Sequence, residues 1–201
     1  MDTFEKLVYN IAENVHQEHD LVFLERLRFM VQYYRATLIR RDDEKGRKLD
    51  SAFLQIYLGS DDQGIAMEEK VDHSCLIMQS TEKIPNLIRL RSGPAIKAVT
   101  NLSTLNVIHP IEFEAVRSYA FNKHTGFEAR YYYRDGYLYT VNSITEHLAL
   151  EGAFEYPTLV NPNEDYPVPL DFVQQITTAI LAGELRGIQP NESGDSVTVN
   201  G

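Results

Sequence analysis

The sequence predicts an α+β fold: an N-terminal antiparallel helix pair and a C-terminal helix form a bundle, and a central antiparallel β region contains one inserted helix. Apolar residues recur at helical spacing near both ends of the chain. Between them, two aromatic runs flank Asp135-Gly136, a pair typical of a two-residue hairpin turn. The predicted units are the helix pair (1–48), the β region with its inserted helix (49–157), an extended connection with the last helix (158–188) and a flexible tail (189–201).

Two amphipathic helices are predicted at the N-terminus. Asp2 and Glu5 have the spacing of a capping box, and Asp20 is the expected N-cap of a second helix over residues 21–40. The first apolar stripe consists of Phe4, Leu7, Val8, Ile11, Ala12 and Val15. The second consists of Phe23, Leu24, Leu27, Met30, Val31, Tyr34 and Leu38, and its polar side carries Arg26, Arg28 and Arg35. The short connection between the helices favours antiparallel packing.

The sequence of the central region predicts mainly short strands. Residues 41–48 form a charged, solvated loop, and residues 49–58 fit a helix or a strand equally well. Strand-like or extended segments follow at residues 68–79, 87–91, 96–102 and 144–154. Pro110 suits the first position of the inserted helix, which is predicted from Ile111 to about Asn122.

The hairpin spans residues 130–141. A type I′ turn at Asp135-Gly136 pairs Arg134 with Tyr137 and sets the register of both strands. Because side chains alternate, one face carries Tyr132, Arg134, Tyr137 and Tyr139, and the other carries Tyr131, Tyr133, Leu138 and Thr140. Tyrosines on both faces fit either an ordinary hairpin over a core or a contact surface for another protein.

The C-terminal part begins with an extended segment, because its prolines exclude a continuous helix: Pro157, Pro162, Pro167 and Pro169. A last helix is predicted over residues 170–185, with an apolar stripe of Phe172, Val173, Ile176, Ile180 and Leu181. Residues 189–201 are polar and nearly free of large side chains, which predicts disorder in isolation. Within them, Val197-Thr198-Val199 can add as a strand to the sheet of another chain.

The overall composition is that of a soluble globular protein. The chain has 201 residues, of which 43% are hydrophobic and 24% charged, and its formal net charge is −10. We expect neither a membrane span nor a signal peptide, and the single cysteine, Cys75, excludes an internal disulfide. From Leu150 onward, acids outnumber the one base, Arg186, by eight to one, a surface that repels nucleic-acid phosphates.

Residues capable of chemistry are few. His16 and His19, with Glu13 and Asp20 nearby, have a spacing that could hold a metal, but they straddle the predicted break between helices. Cys75 could act as a thiol nucleophile with His73 as its base. However, Cys75 begins an apolar run, in which a free cysteine is usually a small buried apolar residue. No glycine-rich phosphate loop or nucleophile elbow occurs. The sequence therefore predicts no catalytic residue, metal or cofactor.

Three stretches and the hairpin together resemble the ring or head–tail connector proteins of short-tailed bacteriophages, most closely those of crAss-like phages. The order is Lys83-Ile-Pro-Asn-Leu-Ile-Arg-Leu-Arg-Ser-Gly-Pro-Ala-Ile-Lys-Ala-Val99, the Arg-Asp-Gly-Tyr-Leu-Tyr hairpin, Gly152-Ala-Phe-Glu-Tyr-Pro157 and Tyr166-Pro-Val-Pro-Leu-Asp-Phe-Val. The chain is also similar to adaptors of the tail tubular protein A type.

The resemblance implies a virion structural protein without catalytic residues. It implies a twelve-subunit ring that docks under the portal protein, extends the channel for DNA and meets a further ring or tail protein. The implied portal-binding tail contains Gln189, Pro190, Val197 and Val199, and the predicted contacts with a neighbour are Tyr132, Arg134, Tyr137 and Tyr139.

Two alternative functions stay open from the sequence. The first is a nucleic-acid-binding regulator that stacks bases on the tyrosines beside Arg130 and Arg134. Cation–π contacts within the protein are the competing use of these two arginines. The second alternative is a hydrolase that uses His73 and Cys75.

Overall fold

A computed structural model of the chain describes residues 3–70, 76–120, 128–161 and 165–183. The helices within these residues are α1 (Thr3–Glu13), α2 (Leu21–Glu44), α3 (Val116–Ala120), α4 (Pro157–Val160) and α5 (Leu170–Gly183). The first strands are β1 (Gln55–Tyr57), β2 (Ile65–Lys70), β3 (Ile77–Ser80), β4 (Arg89–Leu90) and β5 (Gly93–Pro94). The later strands are β6 (Ile96–Asn101), β7 (Val107–Pro110), β8 (Arg130–Arg134), β9 (Tyr137–Val141) and β10 (His147–Gly152).

The N-terminal helices begin and bury their faces largely as predicted. The Asp20 carboxylate accepts hydrogen bonds from the backbone N–H groups of Val22 and Phe23, which confirms Asp20 as the N-cap of α2. α2 continues to Glu44, so residues 41–44 are helical and not part of the predicted loop. The Arg28 guanidinium binds the Glu5 carboxylate at 2.8 and 2.9 Å and so joins α2 to α1. The predicted capping residue Asp2 lies outside the described residues.

Seven strands close into a mixed β-barrel in the order β10-β2-β3-β9-β8-β7-β6, and β6 returns to pair with β10. The closure of the β region into a barrel was not predicted. The prediction of a purely antiparallel β region was wrong at one pair, because β7 pairs with β8 in parallel, with His109 beside Arg130. β1 pairs with β10 beyond the end of β2, and β4 and β5 form a separate two-stranded ladder.

Several smaller predictions are corrected in the same region. The extended segment predicted at residues 68–79 belongs to two antiparallel strands, β2 and β3. The undecided stretch 49–58 contains a 3-10 turn, Ser51–Phe53, followed by β1. The inserted helix is shorter than predicted, with a 3-10 turn (Phe113–Ala115) followed by α3. Phe113, at the start of this 3-10 turn, is 45% exposed.

Two large apolar clusters stabilise the fold. The first joins α1, α2 and α5 to residues beside the barrel, among them Phe53, Ile88 and Ala153. The second fills the barrel with side chains from its walls: Ile65, Met67, Met78, Val99, Ile108, Tyr131, Leu138, Leu148 and Leu150. Alternate residues of each strand point inward, and the strand pattern of the sequence reflects this alternation.

Arg35 connects the helices to the barrel. It was predicted on the polar side of α2 but is completely buried. Its guanidinium donates to the carbonyl oxygens of Pro167 (2.8 Å), Phe154 (2.8 Å) and Phe53 (2.9 Å). These three carbonyls lie in chain segments where regular secondary structure ends, so one planar group with donors in several directions serves all three. Burial lowers the pKa of Arg35 to about 10, which still leaves it charged at neutral pH.

Tyr166 packs beside Arg35, with its ring 5.7 Å from the guanidinium carbon and 4.7 Å from the ring of Phe4. Burial raises the pKa of Tyr166 to about 12, and the nearby Arg35 charge partly opposes this rise. An unfolded tyrosine ionises near pH 10. The unfolded chain therefore releases this proton before the folded chain does, and stability falls as pH rises from about 10 to about 12.

We expect a Tyr166→Phe variant to lose less stability than the parent across this alkaline range, by roughly 2 kcal/mol. Arg35 and the other buried tyrosines are present in both chains, so the difference reports Tyr166 together with its interaction with Arg35. Urea unfolding followed by circular dichroism at pH 9, 10, 11 and 12 measures the effect. Parallel losses in the two chains would contradict the assignment.

Candidate functional site

The hairpin predicted at residues 130–141 is confirmed in its turn and its register. Asp135 and Gly136 have φ angles of 55° and 88°, as a type I′ turn requires. Arg134 pairs with Tyr137, and Tyr132 pairs with Tyr139. The inner face lies against the barrel core, where Leu138 is fully buried. Burial raises the pKa of Tyr131 and Tyr133 above the ordinary value for tyrosine.

The outer face carries an ordered group of rings and cations that we call the hairpin cluster: Phe113, Tyr132, Tyr139, Arg134 and Lys70. The rings of Tyr132 and Tyr139 stack 4.6 Å apart with an interplanar angle of 3°, and the Phe113 ring lies 5.5 Å from Tyr132. The Arg134 guanidinium carbon is 4.1 Å from the Phe113 ring centre. Lys70 lies 5.5 Å from the Tyr139 ring. Cation–π contacts of this kind hold the cluster in one arrangement.

The four predicted contact residues do not share one environment. Tyr132 is only 7% exposed because other members of the hairpin cluster cover it and because it packs with Ile77, Val116 and Val141. Arg134 is exposed, whereas Tyr137 and Tyr139 are half-buried. Tyr137 lies away from the stack, with its ring 5.9 Å from the Lys83 ammonium. A neighbour that covered this face would touch Arg134, Tyr139 and Phe113 before it touched Tyr132.

A second aromatic surface lies on the outer side of α2, which sequence analysis missed. Phe29 and Tyr33 are 61% and 54% exposed, and their rings stack 6.2 Å apart. With Tyr156 and the half-buried Arg40 they line a small cleft of about 110 Å³. We call this surface the α2 groove. One feature of the sequence could have predicted the α2 groove. Phe29 and Tyr33 are one helical turn apart, on the side of α2 opposite its buried stripe.

The α2 groove and the hairpin cluster are joined into one belt. Tyr156 also lines a second cleft of about 550 Å³, together with Leu159, Lys83 and Asp135 of the hairpin turn. Asp135 in turn lines a cleft beside Arg134 and Tyr139. Aromatic, aliphatic and charged side chains, including the acidic Asp135, thus extend from α2 to the outer face of the hairpin. Such contiguous patches mark surfaces that bind other macromolecules.

Sites for chemistry do not emerge from the described residues. His16 and His19 lie in the connection between α1 and α2, and no three His, Cys, Asp or Glu side chains of the described ranges gather as metal ligands. His73 and Cys75 lie outside these ranges, as do Gln189, Pro190, Val197 and Val199. In the part of the chain that the structure describes, no helix is long and apolar enough to cross a membrane.

The arginines that could serve nucleic-acid binding are engaged within the protein. The Arg130 guanidinium binds the Glu128 carboxylate and the Tyr119 hydroxyl, and the hydrogen bond with Tyr119 is the main cause that raises the pKa of Arg130. Arg134 lies over Phe113. Both arginines therefore already contact side chains of the protein itself. This arrangement favours a structural role for them over the stacking of nucleic-acid bases.

Comparison with protein families gives one full-length result. A family model described as phage tail ring protein 2, of the crAss-like ring proteins, matches residues 6–198. Among curated proteins, no significant match is found.

Proposed function

Because the chain belongs to the phage tail ring protein 2 family, whose members are structural components of the virion, we propose that it forms a closed ring at the head–tail junction. The ring docks under the portal protein, extends the channel through which DNA passes, and meets a further ring or tail protein on its other side. Twelve copies make up the ring in this proposal.

The belt from the α2 groove to the hairpin cluster is the observation that carries the proposal. A ring with cyclic symmetry uses heterologous contacts, in which one surface of each subunit meets a different surface of the next. The belt offers aromatic rings and arginines, the residue types enriched in the energetically dominant parts of interfaces. It is preformed, since its rings already stack in the single chain. Little side-chain ordering is therefore left to oppose association.

The charge of the chain supports a channel through which DNA passes without binding. Strong DNA binding requires cations that release the counterions of the phosphates. The formal net charge here is −10, and Arg130 already pairs with Glu128. A ring of such subunits repels the phosphate backbone and lets the genome slide.

The proposal is tested by mixing the purified full-length chain with the portal protein of its own phage. We expect particles with twelve-fold symmetry in electron micrographs, in which the chain forms a ring on one side of the portal. The chain mixed with a portal from an unrelated phage is the control and should yield no such particles. If the chain stays monomeric beside its own portal, the proposal is wrong.

A further inference from the structure

Strand β7 fills only part of the space between its neighbours. It pairs with β6 at Val99 and Thr100, and with β8 at Arg130 and Tyr131. Beyond these pairs, no described strand pairs on this side with residues 96–98 of β6 or with residues 132–134 of β8. Among the described residues, the barrel wall is therefore open past the end of β7.

A cleft of about 610 Å³ lies at this opening. Because β7 separates β6 from β8 farther along the wall, the opening begins with the width of one strand. Its lining is mixed: Pro94, Ile96, Tyr131 and Tyr133 are apolar or aromatic, and Ser92, Glu112 and Glu114 are polar. A cleft of this volume can receive the side chains of a short extended segment.

The β8 edge offers backbone groups to such a segment. Residues of an antiparallel strand alternately direct their N–H and C=O groups to one neighbour and to the other. The Tyr131 carbonyl accepts from Ile111 N–H at 2.7 Å, so Tyr131 points its backbone towards the β7 side. Tyr133 is two residues farther along β8 and so points its N–H and C=O into the opening.

We propose that Val197-Thr198-Val199 of a neighbouring copy adds to this edge of β8 as a short strand. All three residues are β-branched, which favours a strand, and Val197 and Val199 would face the cleft together. The side chains of residues 196–201 are uncharged and so add no repulsion with Glu112 and Glu114 of the lining, and the nearest acidic side chain, Asp195, precedes them. This inference rests on the ring assembly proposed above, which brings copies side by side.

The chain is long enough for this exchange. Residues 184–196 separate α5 from the proposed strand. When extended they span up to about 40 Å, more than the diameter of a small domain. Residues 189–196 have no large apolar side chain and are polar apart from Pro190 and Gly194, which suits a linker that crosses from one subunit to the next.

A labelled peptide of residues 193–201 tests the edge directly. The receptor is the full-length chain with Val197→Asp and Val199→Asp, whose own tail cannot compete. We expect saturable binding by fluorescence anisotropy, retained by a Thr198→Ala peptide and lost by a peptide with both aspartates. Tyr133→Pro in the receptor removes one outward N–H and should weaken binding about tenfold. Equal binding of all three peptides, or none, overturns the proposal.

Two further measurements complete the test. Proline at position 133 also changes the hairpin backbone, so a second measurement uses the receptor that keeps Tyr133. Hydrogen exchange at the Tyr133 amide of that receptor should slow when the peptide binds, and an unchanged rate overturns the proposal. Chains with Tyr133→Cys and chains with Val197→Cys, both with Cys75→Ser, should form a mixed disulfide under ring-forming conditions, because both positions face the cleft. If no mixed disulfide forms, or if the portal alone captures the tail, the proposal is wrong. Rings that assemble without the exchange leave the proposed function intact.

Discussion

Replacing Arg35 with methionine is expected to lower the free energy of unfolding by about 3 kcal/mol. Methionine fills a similar volume but donates no hydrogen bond. The carbonyl oxygens of Phe53, Phe154 and Pro167 would lose their donor in a buried site, at about 1–3 kcal/mol each. The relief of burying one fewer charge offsets part of this loss.

Urea unfolding followed by far-ultraviolet circular dichroism measures the Arg35 effect, since the chain contains no tryptophan for fluorescence. Arg40→Met is the matched control on the same helix. Arg40 binds Glu155 at 3.1 Å, but both side chains are more than one third exposed, so its loss should cost less than about 1 kcal/mol. If the two variants lose equal stability, Arg35 does not hold the helices to the barrel.

Local features of this fold were predictable because their causes are local. Asp135-Gly136 determines the type of turn, and the turn determines the register of β8 and β9. Asp20 marks the start of α2 because a short carboxylate satisfies the free N–H groups of the first turn. No distant part of the chain is needed for either conclusion.

Features that depend on distant segments were not predictable. Alternation in residues 96–101 predicts strand β6, but nothing in it identifies β10 as the partner that closes the barrel. Arg35 looks like a solvent-facing cation in the sequence, because the carbonyl groups that hold it come from residues 18, 119 and 132 positions away. Long-range pairings of this kind leave no periodic signal.

In the candidate site too, local features were predictable and features that depend on distant residues were not. Tyr132, Arg134, Tyr137 and Tyr139 were placed on one face by strand alternation, and they do lie on that face. The burial of Tyr132 was not predictable, since Phe113 and Tyr139 both contribute to it. The α2 groove was not predicted because the single apolar stripe of α2 already accounts for how the helix packs, and exposed aromatic residues on its other side leave that pattern unchanged.

The combined change Phe29→Asp and Tyr33→Asp is expected to abolish ring assembly while the subunit stays folded. Both side chains are more than half exposed, so the free energy of unfolding of the monomer should change by less than about 1 kcal/mol. At an interface, two buried aromatic anchors contribute about 2 kcal/mol each or more, and the new carboxylates would lose their hydration there. The loss recurs at every contact around a closed ring.

Native mass spectrometry of the variant with its portal, and urea unfolding of the variant alone, separate assembly from folding. Tyr137→Ala with Tyr139→Ala tests the hairpin end of the belt and should weaken assembly more than folding. Leu105→Asp is the control, because Leu105 is 75% exposed in a turn with φ of 58°, a conformation that aspartate tolerates better than leucine. Intact rings with the α2 variant would remove the groove from the interface. Rings lost in all three variants would show instead that assembly is sensitive to any change on the surface.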